Sequence, residues 1–102
     1  MSIDLDGAVE EAYPEMVRLR RDVHRRPELA FQEVRTASLV AERLKALGLE
    51  VQTGLSKTGV VGFLKGEGDG KTLLIRADMD GLPIHESGAL DFRSQNPGAM
   101  HA

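Results

Sequence analysis

Residues 72–83, Thr-Leu-Leu-Ile-Arg-Ala-Asp-Met-Asp-Gly-Leu-Pro, place the strongest constraint on the fold of this chain. The apolar run at its start is bounded by turn-forming residues, which predicts a strand at 71–77 that is buried on both faces. That strand ends on two carboxylates, Asp78 and Asp80. Ligands of open α/β sheets bind outside the carboxyl ends of the strands, so the segment is expected to carry acidic groups into a site.

Composition excludes several classes of protein. The chain has 102 residues, enough for one domain, with 41% hydrophobic and 28% charged residues. Its 13 basic and 16 acidic residues give a net charge of -3, which argues against a nucleic-acid partner. It has no cysteine, no apolar run of membrane-spanning length, and an acidic N-terminus unlike a signal peptide. We therefore expect a cytoplasmic protein with no membrane partner.

Hydrophobic periodicity predicts an α/β fold. Apolar residues at three- and four-residue spacing predict a helix over 8–23, whose regular part is expected to start near Pro14, with that residue in the first turn. They predict a second helix over 32–47 that ends at Gly48. Short strands are expected at 49–53 and 60–65, and the glycine-rich link at 66–70 predicts a hairpin between the second of these and the strand at 71–77. Residues 81–102 show no sustained periodicity, and a loop of that length is usually functional or depends on further chain.

Three candidate motifs leave alternatives open. The segment Gly-Glu-Gly-Asp-Gly-Lys-Thr at 66–72 lacks the first glycine of a phosphate-binding loop, since Lys65 stands there, and a strand rather than a helix is expected after it. Asp78 and Asp80 would share one side of a strand, which suits a divalent cation or the orientation of metal-bound histidines. Alternatively, one of them caps the next turn and the other is solvated. His101, taken alone, indicates little.

Five stretches taken together are far more specific. They are His-Arg-Arg-Pro-Glu-Leu-Ala-Phe-Gln-Glu at 24–33 with Thr36, Lys-Thr-Gly-Val-Val at 57–61, Arg-Ala-Asp-Met-Asp-Gly-Leu-Pro-Ile at 76–84 with Glu86, Ser-Gln-Asn-Pro-Gly at 94–98, and Met-His-Ala at 100–102. In this order and spacing they resemble the N-terminal part of the metal-dependent amidohydrolases of the aminoacylase and carboxypeptidase superfamily. The most similar branch holds hippurate hydrolase, N-acyl-amino-acid amidohydrolases and plant auxin-conjugate hydrolases. One departure is Gly81, where that branch usually has alanine.

The resemblance implies a fold and a reaction. Residues 1–102 would be the N-terminal portion of a zinc-peptidase-like catalytic domain, with two helices packed on a small mixed sheet, and the dimerisation domain of such proteins would be absent. The implied reaction is hydrolysis of the amide bond of an N-acyl amino acid. A divalent metal pair, of the zinc, manganese or nickel type, would activate the attacking water, with a glutamate as general base.

The resemblance also assigns site residues. In the family, Met-His-Ala runs on into Cys-Gly-His-Asp, and that cysteine and histidine bind metal. No metal ligand is therefore expected within residues 1–102, and this chain alone is expected to be inactive. Asp80 aligns with an aspartate that supports the metal site by holding one of its ligands. Arg76, Asp78 and His101 would be scaffolding of the site; the alternative for these three is simple structural hydrogen bonding.

A second hypothesis comes from another class of protein. The chain would then be a non-catalytic α/β remnant that acts as a binding or assembly module. Exposed strand edges are templates for pairing with other chains, so a 102-residue protein of this kind is expected to self-associate or to be poorly soluble.

Overall fold

The computed structural model describes residues 2–102. Along this part of the chain, α1 spans Leu5–Arg25, α2 spans Val34–Ala46, β1 spans Glu50–Leu55 and β2 spans Gly59–Phe63. These elements agree with the predicted α/β class. No helix within residues 2–102 has the length and apolar character needed to cross a membrane.

Helix α1 begins earlier than its hydrophobic pattern predicts. The Asp4 carboxylate accepts a hydrogen bond from the Gly7 amide at 2.9 Å and caps the first turn. The helix then continues through Pro14, which lies in its interior. The prediction that Pro14 sits in the first turn is therefore wrong, because the cap at Asp4 starts the helix well before the proline. Because proline has no backbone N–H, the helix lacks the hydrogen bond that residue 14 would otherwise donate to the carbonyl four residues earlier.

Helix α2 follows its predicted course and is shorter by two residues at its start and one at its end. Gly48 has a positive φ of 86° and its amide donates to the carbonyl of Lys45, which confirms the predicted glycine cap. The residue at the start of the helix, Glu33, makes no side-chain capping bond. The first amides of α2 must therefore find another acceptor.

The two strands form one antiparallel pair, with Glu50 opposite Phe63 and Leu55 opposite Gly59. The hairpin thus joins β1 to β2, and the predicted hairpin across residues 66–70 is wrong. Its turn is built on Ser56 and Lys57, which both have positive φ values, a geometry that sequence rules assign to glycine or asparagine. The predicted mixed sheet is also wrong for residues 2–102, since this pair is antiparallel throughout.

The predicted buried strand at 71–77 is wrong as well. Residues 64–80 form no strand, and Leu73, Leu74 and Ile75 are 83%, 85% and 84% exposed. The physical reason is that a strand exists only through hydrogen bonds to a neighbour. The described residues place no second strand alongside this run, so its apolar side chains stay in contact with water.

Helix α2 packs on the hairpin and contacts both of its strands, whereas α1 makes no comparable contact with either. The prediction that two helices pack on the sheet thus holds for α2 only. Two ion pairs join α1 to α2: Arg43 contacts Glu15 at 3.2 Å and Arg35 contacts Asp22 at 2.7 Å. The rest of the attachment of α1 comes from its C-terminal end, where the candidate site is built.

Candidate functional site

Residues 24–28, at the end of α1, are the centre of the candidate site. The chain leaves the helical conformation at Arg26, because the residue before a proline is pushed out of the α region. The carbonyls that follow are then free of the helix. Pro27 itself is completely buried. Distant parts of the chain are hydrogen-bonded to this short segment.

Three backbone carbonyls of residues 24–28 accept hydrogen bonds from residues 81–96. The carbonyl of Arg25 accepts from the Gln95 amide at 2.7 Å, and that of Glu28 accepts from the Gly81 amide at 2.7 Å. The third bond, at 3.1 Å, is donated by the side-chain amide of Asn96 to the carbonyl of Pro27. A loop that forms no helix or extended strand is thereby held at several points along its length.

The side chain of His24 makes the fourth attachment. Its Nε2 lies 2.9 Å from Oε1 of Glu86, and the two side chains are only 9% and 3% exposed. The same carboxylate oxygen accepts the Ser94 amide at 2.8 Å. The ring of Phe92 lies edge-on to His24, with centroids 5.5 Å apart, and its face carries the Arg21 guanidinium at 4.7 Å. One buried carboxylate therefore joins α1 to both ends of residues 86–94.

These bonds control the ionisation of Glu86. The Ser94 amide, and after it the hydrogen bond and charge of His24, lower the pKa of the Glu86 carboxyl, against the opposing effect of burial. The carboxylate form is therefore the form that the fold favours.

We expect this pair to make the protein acid-sensitive. A carboxyl whose pKa is lower in the folded state stabilises that state above its ordinary pKa of about 4.3, and this stabilisation is lost as the pH falls through the lowered folded value. Urea unfolding at a series of pH values should show this loss below about pH 4.3, and Glu86→Gln should reduce it. Parallel pH dependences for the two proteins would contradict the assignment.

Residues 80 and 101 are brought close together by a bridge between their neighbours. The Leu82 amide donates to the Met100 carbonyl at 2.8 Å, and the Met100 amide donates back at 3.0 Å. The Ser94 hydroxyl lies 2.7 Å from the carbonyl of Ala99, a buried residue, and so holds the second strand of the bridge. Asp80 and His101 then lie beside this bridge, just outside the paired residues on each strand.

His101 is half-buried, and its Nε2 is shielded from solvent with no hydrogen-bond partner among residues 2–102. Burial, followed by the charge of His24, lowers the pKa of the His101 imidazole, while the charges of Asp80 and Glu28 work in the opposite direction. The imidazole is therefore neutral at neutral pH, with one ring nitrogen enclosed and unused.

The four predicted site residues thus separate into two groups. Asp80 and His101 lie near each other, close enough for the charge of one to affect the ionisation of the other. Arg76 and Asp78 instead form an ion pair with each other at 3.1 Å, with side chains 83% and 70% exposed. Within residues 2–102, no three histidine, aspartate or glutamate side chains are grouped so as to hold a metal ion.

The residues that hold the site together carry no local sequence signal. His24, Glu86, Ser94 and Asn96 all lie in the stretches that carry the family resemblance, but no spacing rule connects hydrogen-bonded partners that are 62 and 69 positions apart. The signal was available only as the joint presence of those stretches. No single one of them indicates the buried contact.

Comparison with known proteins identifies relatives of this chain. No protein-family model matches it. It is 48% identical over 101 residues to a probable hydrolase of Synechocystis sp., covering 98% of this chain and 26% of that protein. It is 44% identical over 99 residues to the N-acyl-L-amino acid amidohydrolase of Geobacillus stearothermophilus, covering 97% of this chain and 27% of the enzyme. The hippurate hydrolase of Campylobacter jejuni is 43% identical over 100 residues, which are 98% of this chain and 24% of that enzyme.

Solved structures agree with this relationship. A dinuclear metal-binding peptidase of the M20 family from Bacillus subtilis superimposes with a TM-score of 0.83 and 40% identity, over 90% of this chain and 26% of that one. A Staphylococcus aureus protein described as an aminohydrolase superimposes with a TM-score of 0.87 and 42% identity, over 94% of this chain and 26% of its own.

The relatives that this chain matches in sequence and in fold are metal-dependent amidohydrolases. More narrowly, the chain is homologous to the amidohydrolases and carboxypeptidases of the M20 peptidase family, including hippurate hydrolase and the N-acyl amino acid amidohydrolases, which confirms the resemblance seen in the sequence. It spans about a quarter of the length of the relatives that it matches.

Proposed function

We propose that residues 1–102 form the N-terminal portion of the catalytic domain of an amidohydrolase that cleaves the bond between an acyl group and an amino acid. The observation that carries the proposal is the match to the Geobacillus amidohydrolase over 97% of this chain, at 44% identity. It includes the segment that holds Asp80. The substrate of the whole protein would be an N-acyl amino acid.

The proposed reaction requires a divalent metal pair. The side chains of this chain are suited to holding the ligands of such a pair in position. Such a pair, when bound, polarises the scissile carbonyl and lowers the pKa of a water molecule. Metal-bound histidines are usually held by a carboxylate that accepts their second N–H, and Asp80 offers such a carboxylate. The enclosed, unpartnered Nε2 of His101 beside it supports the proposal that this corner receives polar groups from further chain.

The structure gives less support to the roles proposed for Arg76 and Asp78. Arg76 and Asp78 pair with each other on the surface of the described residues. We keep them as scaffolding of the segment that leads into Asp80. Their ion pair, being exposed, contributes little to stability by itself.

A hybrid enzyme tests the proposal. Residues 2–102 replace the matching quarter of the Geobacillus amidohydrolase, and release of free amino acid from N-acetyl and N-benzoyl amino acids is measured. We expect hydrolysis comparable to that of the intact relative, lost with a chelator and restored by zinc or manganese. Asp80→Ala should lower kcat/KM by about 10- to 100-fold, since a group that holds a metal ligand has effects of that size.

The matched control is Asp69→Ala, which removes a carboxylate from the exposed glycine-rich segment and should leave activity unchanged. A folded hybrid that hydrolyses no N-acyl amino acid would overturn the proposal. It would favour the alternative of a binding or assembly module, for which the exposed Leu73, Leu74 and Ile75 offer an apolar contact.

A further inference from the structure

We infer that His24 and Glu86 are positioning residues, whose buried contact sets the placement of Asp80 and His101. The inference rests on the amidohydrolase function proposed above and deepens it, because it assigns the geometry of that site to two side chains outside it. Neither residue is assigned a part in the chemistry.

The first step is the contact itself. It joins two residues 62 positions apart, and both side chains are almost wholly enclosed. Removing one partner of a buried hydrogen bond leaves the other unsatisfied, so the fold strongly favours keeping both in place. The pair therefore has essentially one arrangement, set by the position of the last turn of α1.

The second step is transmission from Glu86 to the site. The carboxylate oxygen that meets His24 also accepts the Ser94 amide, and the Arg93 guanidinium bonds the Glu86 carbonyl at 3.1 Å. Ser94 in turn contacts the Ala99 carbonyl through its hydroxyl. The bridge between Leu82 and Met100 follows directly on both sides, four residues before Glu86 and one residue after Ala99.

The third step is the consequence for the two site residues. Asp80 and His101 each lie within two residues of that bridge, so a shift at Glu86 or Ser94 is passed to both of them together. Misplacement of reacting groups by about 1 Å from a distant mutation reduces rates by about 100-fold in enzymes. A small movement at the buried pair is thus expected to affect turnover more than substrate binding.

Two substitutions of His24 separate this role from a merely structural one. His24→Gln keeps a side-chain N–H that can reach the Glu86 carboxylate. His24→Phe keeps a ring against Phe92 and removes the donor. Both are made in the hybrid enzyme described above, and kcat, KM and their pH profiles are measured with an N-acetyl amino acid at saturating zinc or manganese.

We expect His24→Phe to lower kcat by about 10- to 100-fold with KM little changed, and His24→Gln to recover most of kcat. A structural role alone would lower the melting temperature of His24→Phe and leave the kcat and pH profile of the folded enzyme unchanged, which would overturn the inference. If His24→Phe does not fold, His24→Asn, whose shorter amide does not reach Glu86, takes its place in the same comparison.

A second measurement separates failure of this inference from failure of the proposed function. Absence of hydrolysis by the unmutated protein rejects the proposed function alone. Amide hydrogen exchange at Leu82 and Met100 then reports the bridge directly, without any activity. We expect lost protection in His24→Phe and retained protection in His24→Gln; equal protection in both variants would reject the positioning role.

Discussion

Replacing Glu28 with alanine should lower the free energy of unfolding by about 3 kcal/mol, one of the two largest effects we expect in this chain. The Glu28 carboxylate accepts the Arg35 amide at 2.9 Å and both the amide and the hydroxyl of Thr36 at 2.7 Å. It thus supplies the cap that Glu33 does not give to α2. Thr36 is only 3% exposed, so its amide and hydroxyl cannot form hydrogen bonds to water when the carboxylate is removed.

The charge of Glu28 is favoured by these same bonds. Burial acts to raise the pKa of the Glu28 carboxyl, but the hydrogen bonds from Thr36 and Arg35, together with the charge of Arg35, lower it overall. Chemical denaturation at neutral pH measures the effect of the alanine variant. The matched control is Thr36→Val, which removes only the hydroxyl donor and should lose about 1 kcal/mol. An alanine variant no less stable than that control would show that Glu28 does not cap α2.

The helices were predictable because their signals are local. Spacing of apolar residues and the glycine at position 48 place α2 to within two residues. The prediction for the first helix is wrong at Pro14, because proline is favoured in a first turn but the helix already begins at Leu5. There the side chain of Asp4 caps the first turn. Errors of this kind arise when two local signals disagree.

Strands β1 and β2 lie within two residues of their predicted bounds, but which segments pair with each other was not predictable from the local pattern. The run Leu73, Leu74 and Ile75 has strong strand character, yet it forms no strand in the described residues, since nothing pairs with it. The hairpin was assigned to the glycine-rich link at 66–70, but it forms at Ser56 and Lys57, which adopt positive φ values against their intrinsic preference. Tertiary packing of α2 on both strands outweighs the turn chemistry there.

The arrangement of the candidate site was predictable only in part, because its contacts join residues far apart in the chain. Motif resemblance named Asp80 and His101, which the fold brings together, and also Arg76 and Asp78, which pair with each other elsewhere. The buried contact between His24 and Glu86 has no local signature, since a lone histidine and a lone glutamate are usually surface residues. Only the three-dimensional structure shows that they share one enclosed position.

Replacing Gly81 with valine should destabilise the protein by about 3 kcal/mol and loosen the candidate site. A Cβ atom at Gly81 would lie 2.9 Å from Cβ of Pro27, which is fully buried and held in a ring, so neither atom can move aside easily. The Gly81 amide also donates to the Glu28 carbonyl at 2.7 Å, and a shift of the backbone to relieve the contact would break that bond. Chemical denaturation measures the loss.

Gly81→Ala should lose less stability, because one methyl group requires a smaller shift. The matched control is Gly66→Val, since nothing lies within 4 Å of a Cβ at that position. Equal stability of the Gly81 and Gly66 valine variants would mean that residues 27 and 81 are not packed together as described.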